Sequence, residues 1–130
     1  MLLIAWNELY AHSLPEGHRF PMEKYNLIPE QLIYEGTITN ANIHKPGFLD
    51  ESVILMAHKS EYWYRLLHGQ LTPKEIRKTG FPWSPQLVKR EISIAQGTID
   101  LALHALHYGV GINVAGGTHH AHSDRGEGFC

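Results

Sequence analysis

The pattern of hydrophobic and polar positions opens on a short strand and closes on a long helix followed by a second strand. Leu2 to Trp6 is an apolar run of the length of a buried strand. HSLPEGHRFP after it gathers turn formers and predicts a loop. Met22 to Glu35 carries apolar residues at 25, 28, 32 and 33, a helical spacing; Pro29 interrupts that helix or begins its second half, and Gly36 ends it. Thr37 to Ile43, where Ile38 alternates with polar neighbours, is a strand candidate. Asp50 is placed to cap a helix reaching Met56, and Ser60 to cap another whose buried face is Tyr62, Trp63, Leu66 and Leu67. Thr72-Pro73-Lys74-Glu75 is a capping box with proline at the first helical position, and its helix stops at Gly80.

The clearest periodicity follows. Ser84 caps and Pro85 begins a helix in which Val88, Ile92, Ala95, Ile99, Ala102, Leu103 and Leu106 recur at three- and four-residue steps, with Gly109 just past its end. GVGINVA then reads as a buried parallel strand. Helix, tight turn and buried strand together predict an α/β fold built on an open, mostly parallel sheet. No repeat, low-complexity tract or linker divides the chain, and 130 residues suffice for one globular domain and not for two.

Composition changes this picture in three places. Charged residues make up 18% and the formal net charge is -2, so the chain has no basic face for direct nucleic-acid binding. The single cysteine, Cys130, has no internal disulfide partner, and the apolar start is too short for a signal peptide or a membrane span. No membrane association is expected from this, and a cytoplasmic location is. Ten histidines are many for this length, and six of the twelve glycines lie from Gly109 onward, which draws the chemistry toward the C-terminal end.

That end reads INVAGGTHHAHSDRGEGFC. Ligands of open α/β sheets sit beyond the carboxyl ends of the strands, and Gly116-Gly117 lets the backbone turn sharply there. His119 and His120 follow side by side. Neighbouring side chains on a strand face opposite ways, so both imidazoles reach one pocket only where the backbone is turning. Such a pair suits general acid–base work near neutral pH. Taken alone, it equally fits ordinary loop histidines or two metal ligands. A local metal site drawn from His119, His120, His122, Asp124 and Cys130 follows no standard spacing. The scattered His12, His18, His44, His58, His68, His104 and His107 read as structural, with His104 and His107 near the dipole-favoured end of the long helix.

This segment resembles the catalytic stretch of the histone deacetylases, most closely the class IV and bacterial acetoin-utilisation branch: a strand, a Gly-Gly turn, tandem histidines, then Gly-Phe-Cys. LPEGHRFPMEKYNLIPEQLIYEG resembles the family's N-terminal loop and first helix, and the likeness runs along the whole chain, weakly between Thr37 and Ser84. The resemblance implies the N-terminal portion of an arginase/deacetylase-type fold. It implies a zinc-dependent amidohydrolase acting on an acylated lysine or a small acylamide. It places His119 and His120 on the catalytic pair, with His120 as general base and acid and His119 orienting water. It places Gly128 and Phe129 on the wall of the acyl tunnel and Arg19 on the internal channel. The family's zinc ligands fall beyond Cys130, so no metal ligand is expected within residues 1–130, which read as a partial domain. This stretch alone is expected to be inactive, its counterpart being the missing C-terminal half or a second copy. The alternatives are a non-catalytic truncated fragment that self-associates and a small histidine-rich metal-binding protein. Gly80-Phe81-Pro82-Trp83-Ser84, before the long helix, lacks the substrate-gripping acid that some deacetylases carry, which implies a different grip.

Overall fold

The computed structural model describes residues 1–116, 118 and 120–130. The elements run β1 (Ile4–Ala5), α1 (Lys24–Tyr34), β2 (Ile43–His44), α2 (Glu51–Ala57), α3 (Ser60–Leu67), α4 (Pro73–Thr79), α5 (Pro85–Tyr108) and β3 (Ile112–Asn113). Short 3-10 turns occupy Glu8–Tyr10 and Asn40–Asn42. The chain divides into two compact units, residues 1–48 with 90–116, and residues 49–89 with 117–130.

The first unit holds a three-stranded parallel sheet in the order β2-β1-β3. Ile4 pairs with Ile43 and Ile112, and Ala5 with His44 and Asn113. The central strand is sealed, Ile4 and Ala5 being 1% and 0% exposed, as a parallel strand flanked on both sides requires. Asn7 locks the chain beyond β1: its side chain accepts the Leu9 amide and donates to the Pro46 carbonyl, each at 3.0 Å.

Helix α1 runs unbroken through Pro29, which lies buried within it; a proline there forfeits one intrahelical bond. Its inward face is Tyr25, Pro29 and Leu32, with Met22 buried just before it, rather than 25, 28, 32 and 33, for Ile28 and Ile33 are exposed. Gly36 ends it at φ 71°, the Thr37 amide reaching the Leu32 carbonyl at 3.0 Å and the Gly36 amide that of Ile33 at 3.0 Å. The strand expected over Thr37–Ile43 begins only at Ile43, because Thr39 and Asn42 close a capping box on a 3-10 turn first.

Helix α5 has the expected bounds: the Ser84 hydroxyl accepts the Leu87 amide at 3.0 Å and Gly109 follows at φ 83°. Its buried row differs from the apolar one. Arg90, Ser93, Gly97 and Leu101 turn inward, while Leu103 and Leu106 are 57% and 81% exposed. The polar members of that row have partners. The Arg90 Nε donates to the Tyr10 carbonyl at 2.6 Å, and its guanidinium lies over the Tyr25 ring at 5.0 Å. At Gly97 a Cβ would meet the Tyr10 hydroxyl at 2.6 Å and Pro46 at 2.8 Å, so glycine is what admits the tyrosine.

The second unit is assembled from short capped helices. Asp50 caps α2 by accepting the Ser52 amide at 2.8 Å. Lys59, not Ser60, is the N-cap of α3, and its own amide is taken by the Ser123 carbonyl at 2.8 Å. Tyr62 and Trp63 are buried and Leu67 is exposed. The capping box of α4 is complete, with the Thr72 hydroxyl accepting the Glu75 amide and the Glu75 carboxylate accepting the Thr72 amide. Gly80 ends α4 at φ 92°.

Candidate active site

Residues 118–130 of the second unit carry the sequence-derived candidates, and their geometry is built on the end of α4. The last carbonyls of a helix have no partner within it. Two of these, of Lys78 and Thr79, accept the amides of Gly128 and Phe129 at 2.9 and 2.6 Å. Glu127 and Cys130 close a tight turn around that pair, each amide donating to the other's carbonyl, at 2.9 and 3.0 Å. Docking this way sets φ at 56° for Gly128 and 69° for Phe129. The second value places a side chain in the left-handed region at a cost of about 1–2 kcal/mol. The Phe129 ring in turn packs on the Phe81 ring, centroids 5.1 Å apart.

The His120 imidazole stands over Gly128, where an added Cβ would lie 3.2 Å from Nδ1. Thr118 fixes the ring's other contact. Its hydroxyl donates to the Gly128 carbonyl and lies 3.0 Å from His120 Nδ1. A threonine hydroxyl has one proton. With that proton on the carbonyl, the oxygen can only accept from Nδ1–H, which leaves Nε2 as the basic nitrogen. His120 itself is exposed. The expectation for His119 falls on a residue outside those described.

Around this centre the segment is charged. Lys59 reaches Asp124 at 3.2 Å, Arg125 reaches Asp124 at 3.0 Å, and His122 lies 3.4 Å from Glu127. The Lys59 hydrogen bond holds the Asp124 carboxyl below its ordinary range. A cleft of about 500 Å³ beside these residues is also lined by Arg65 and Glu75. Both Arg65 N–H groups bind the Glu75 carboxylate, at 2.9 and 2.7 Å, and with the Thr72 amide they pull its pKa down to about 2. Among the described residues no group of three or more His, Cys, Asp or Glu is gathered to hold a metal ion.

Arg19 lies in the other unit, exposed, in the loop between the 3-10 turn and α1. The residue before it, His18, accepts the Phe20 amide on Nδ1 at 3.2 Å. Nearby His12 is buried enough to be held below the usual histidine range, with Arg90 and His18 adding to the shift. Sequence reasoning brought out His120, Gly128 and Phe129 but not Thr118, which sets the tautomer of His120, nor Phe81 and the carbonyls of α4 on which Phe129 is built. Gly80 was legible as a helix stop and nothing more.

Comparison with known proteins identifies the family and the fold. A family model described as the histone deacetylase domain matches residues 18–130. An uncharacterized protein of Picosynechococcus sp. is 38% identical over 127 residues, 98% of this chain and 42% of that protein. Acetoin utilization protein AcuC of Staphylococcus xylosus is 25% identical over 134 residues, 95% of this chain and 35% of that one. The crystal structure of an HDAC homolog from Aquifex aeolicus has the same fold over 99% of this chain and 37% of that one, with a TM-score of 0.70 and 20% identity. The chain thus spans less than half the length of each of these relatives.

Proposed function

The chain belongs to the histone deacetylase domain family, and from that premise we propose that it carries the proton-handling part of a deacylase. The reaction is hydrolysis of an acetyl or related acyl group from a lysine side chain or a small amide. The observation that carries this reading is the exposed His120, whose Nδ1 lies 3.0 Å from the Thr118 hydroxyl, leaving Nε2 as the basic nitrogen. In that tautomer Nε2 takes a proton from the attacking water and returns it to the leaving amine. His119, its neighbour in sequence, orients the water. Phe129 and Gly128 wall the tunnel that holds the acyl-lysine stem, and Arg19 lines the channel by which the product acid leaves.

The family's chemistry implies zinc as a Lewis acid on the acyl carbonyl. The described residues do not fit that group, since none of them gather into a ligand set, and the proton path above needs only His120. Residues 1–130 are read as the N-terminal part of a larger domain whose remaining residues hold the metal. Two observations support this: β3 is an outer strand of the sheet, and the apolar Val110 and Ile112, with Leu103 and Leu106 of α5, are exposed. No helix among the described residues is long and apolar enough to cross a membrane.

The test is acetate release from an acetyl-lysine peptide and from a small N-acetyl amide, using the protein at its natural length and loaded with zinc. Turnover of either supports the reading. A folded, zinc-loaded protein that releases acetate from neither, and no longer-chain acid from a longer acyl-lysine, overturns it.

A further inference from the structure

We infer that Gly80 is a positioning residue for the histidine-bearing loop: its bare Cα is the seat of the Phe129 ring. Four glycines end helices with positive φ, and they fall into two kinds. Gly36 and Gly109, at 71° and 83°, face open space, with nothing within 4 Å of an added Cβ. Gly69 and Gly80 do not. A Cβ on Gly69 would meet the Trp83 ring at 2.9 Å, and one on Gly80 would meet Phe129 at 2.7 and 2.9 Å. All four satisfy the same backbone demand. The latter two also do a second thing, which is to let an aromatic ring close on the helix end.

At Gly80 that second role reaches the site. The ring, the Phe129 amide on the Thr79 carbonyl and the Gly128 amide on the Lys78 carbonyl hold one segment to one helix end. Gly128 in turn lies under His120, and its carbonyl accepts the Thr118 hydroxyl. A side chain at 80 displaces the ring, because the contact is closer than any real Cβ tolerates and the φ of 92° adds strain of its own. The displacement passes through Phe129 and Gly128 to the imidazole. As a statement about loop geometry this stands without the deacylase reading; its consequence for acyl turnover rests on that reading.

The experiment compares Gly80→Ala with Gly36→Ala, which imposes a similar backbone strain in open space, and repeats Gly80→Ala in a Phe129→Leu background. The readouts are hydrogen-exchange protection of the Gly128 and Phe129 amides, melting temperature and acyl turnover. Gly36→Ala is expected to lower the melting temperature and leave protection at 128–129 unchanged. Gly80→Ala is expected to cut that protection about tenfold and to lower kcat while Gly36→Ala does not. In the Phe129→Leu background the extra penalty of Gly80→Ala should shrink to that of Gly36→Ala. Equal protection in Gly80→Ala and Gly36→Ala overturns the inference, as does a Gly80→Ala penalty that survives removal of the ring. Should Gly80→Ala fail to fold, Phe129→Leu alone serves: it leaves Gly80 intact and takes the ring from its seat, so lost protection at 128–129 supports the seat and unchanged protection refutes it. A protein that shows the coupling but hydrolyses no acyl-lysine keeps Gly80 as the seat and loses only the deacylase reading.

Discussion

The two compact units are stabilised by different means. In the sheet-bearing unit the decisive groups are buried: Ile4, Ala5, Tyr10 and Ser93 are all at or below 1% exposure, and even the Arg90 cation is 3% exposed. In the unit that carries the site, the elements are two-turn helices secured by caps and by ion pairs that remain partly wet, such as Arg65–Glu75 with side chains 27% and 26% exposed. Burial contributes free energy that salt and mild pH change scarcely touch, whereas partly exposed charge pairs respond to both. A candidate site carried by capped helices and partly exposed ion pairs fits the usual placement of chemistry on segments of lower local stability.

The comparison can be broken most severely at the sheet. Ile4→Ala, in the central strand, should destabilise the protein by about 2–5 kcal/mol in urea titration; a loss under about 1 kcal/mol would mean the sheet is not the main reserve of stability. Next comes Gly97→Ala, which drives a methyl against the Tyr10 hydroxyl and Pro46 and should cost about 1–3 kcal/mol by overpacking. If Gly97→Ala proves neutral, the Tyr10 packing drawn here is wrong.

Titration separates the two units by sign. The Glu75 carboxyl is depressed to about 2, chiefly by Arg65. In the unfolded chain it has its ordinary value, near 4.3. Its stabilisation is therefore full above that value and is lost as the pH falls toward 2. Tyr10 is the reverse case, raised to about 12 mainly by burial. Its contribution is full below the ordinary tyrosine value near 10 and is lost as the pH rises to about 12. Glu75→Gln should flatten the acid limb of a stability–pH curve by about 1 kcal/mol, and Tyr10→Phe should flatten the alkaline limb. A curve whose acid limb is unchanged by Glu75→Gln would remove the Arg65 clamp from the account. The smallest effect is expected at Lys59–Asp124, both side chains largely in solvent. Lys59→Ala should barely lower the melting temperature, and that small loss should disappear in about 1 M salt.

How much of this was legible depended on whether the determinant was local. The Asp50 cap, the Thr72–Glu75 box and the stops at Gly36, Gly80 and Gly109 were readable, because a cap or an αL glycine acts within one helical turn. Ser60 misled, because the α3 boundary is set by a bond between Lys59 and Ser123, distant in sequence. The α5 face misled for a related reason. Hydrophobic periodicity puts Leu103 and Leu106 inside, yet Arg90, Ser93 and Gly97 turn inward because Tyr10 and Pro46, more than 40 residues away in the chain, supply their partners. The site was legible as a motif, in the Gly-Gly turn, the histidine pair and Gly-Phe-Cys, and its assembly was not. Nothing in the local sequence says that Gly128 and Phe129 dock on the carbonyls of α4, or that the Thr118 hydroxyl lies against Nδ1 of His120.

The role proposed for His120 is to move the proton in acyl hydrolysis. Its most direct test is steady-state turnover of an acetyl-lysine peptide by zinc-loaded His120→Ala protein at its natural length, with melting temperature and bound zinc measured on the same sample. We expect a fall in kcat of about 10²–10⁴-fold with folding and zinc content unchanged. Turnover equal to that of the unsubstituted protein would contradict it.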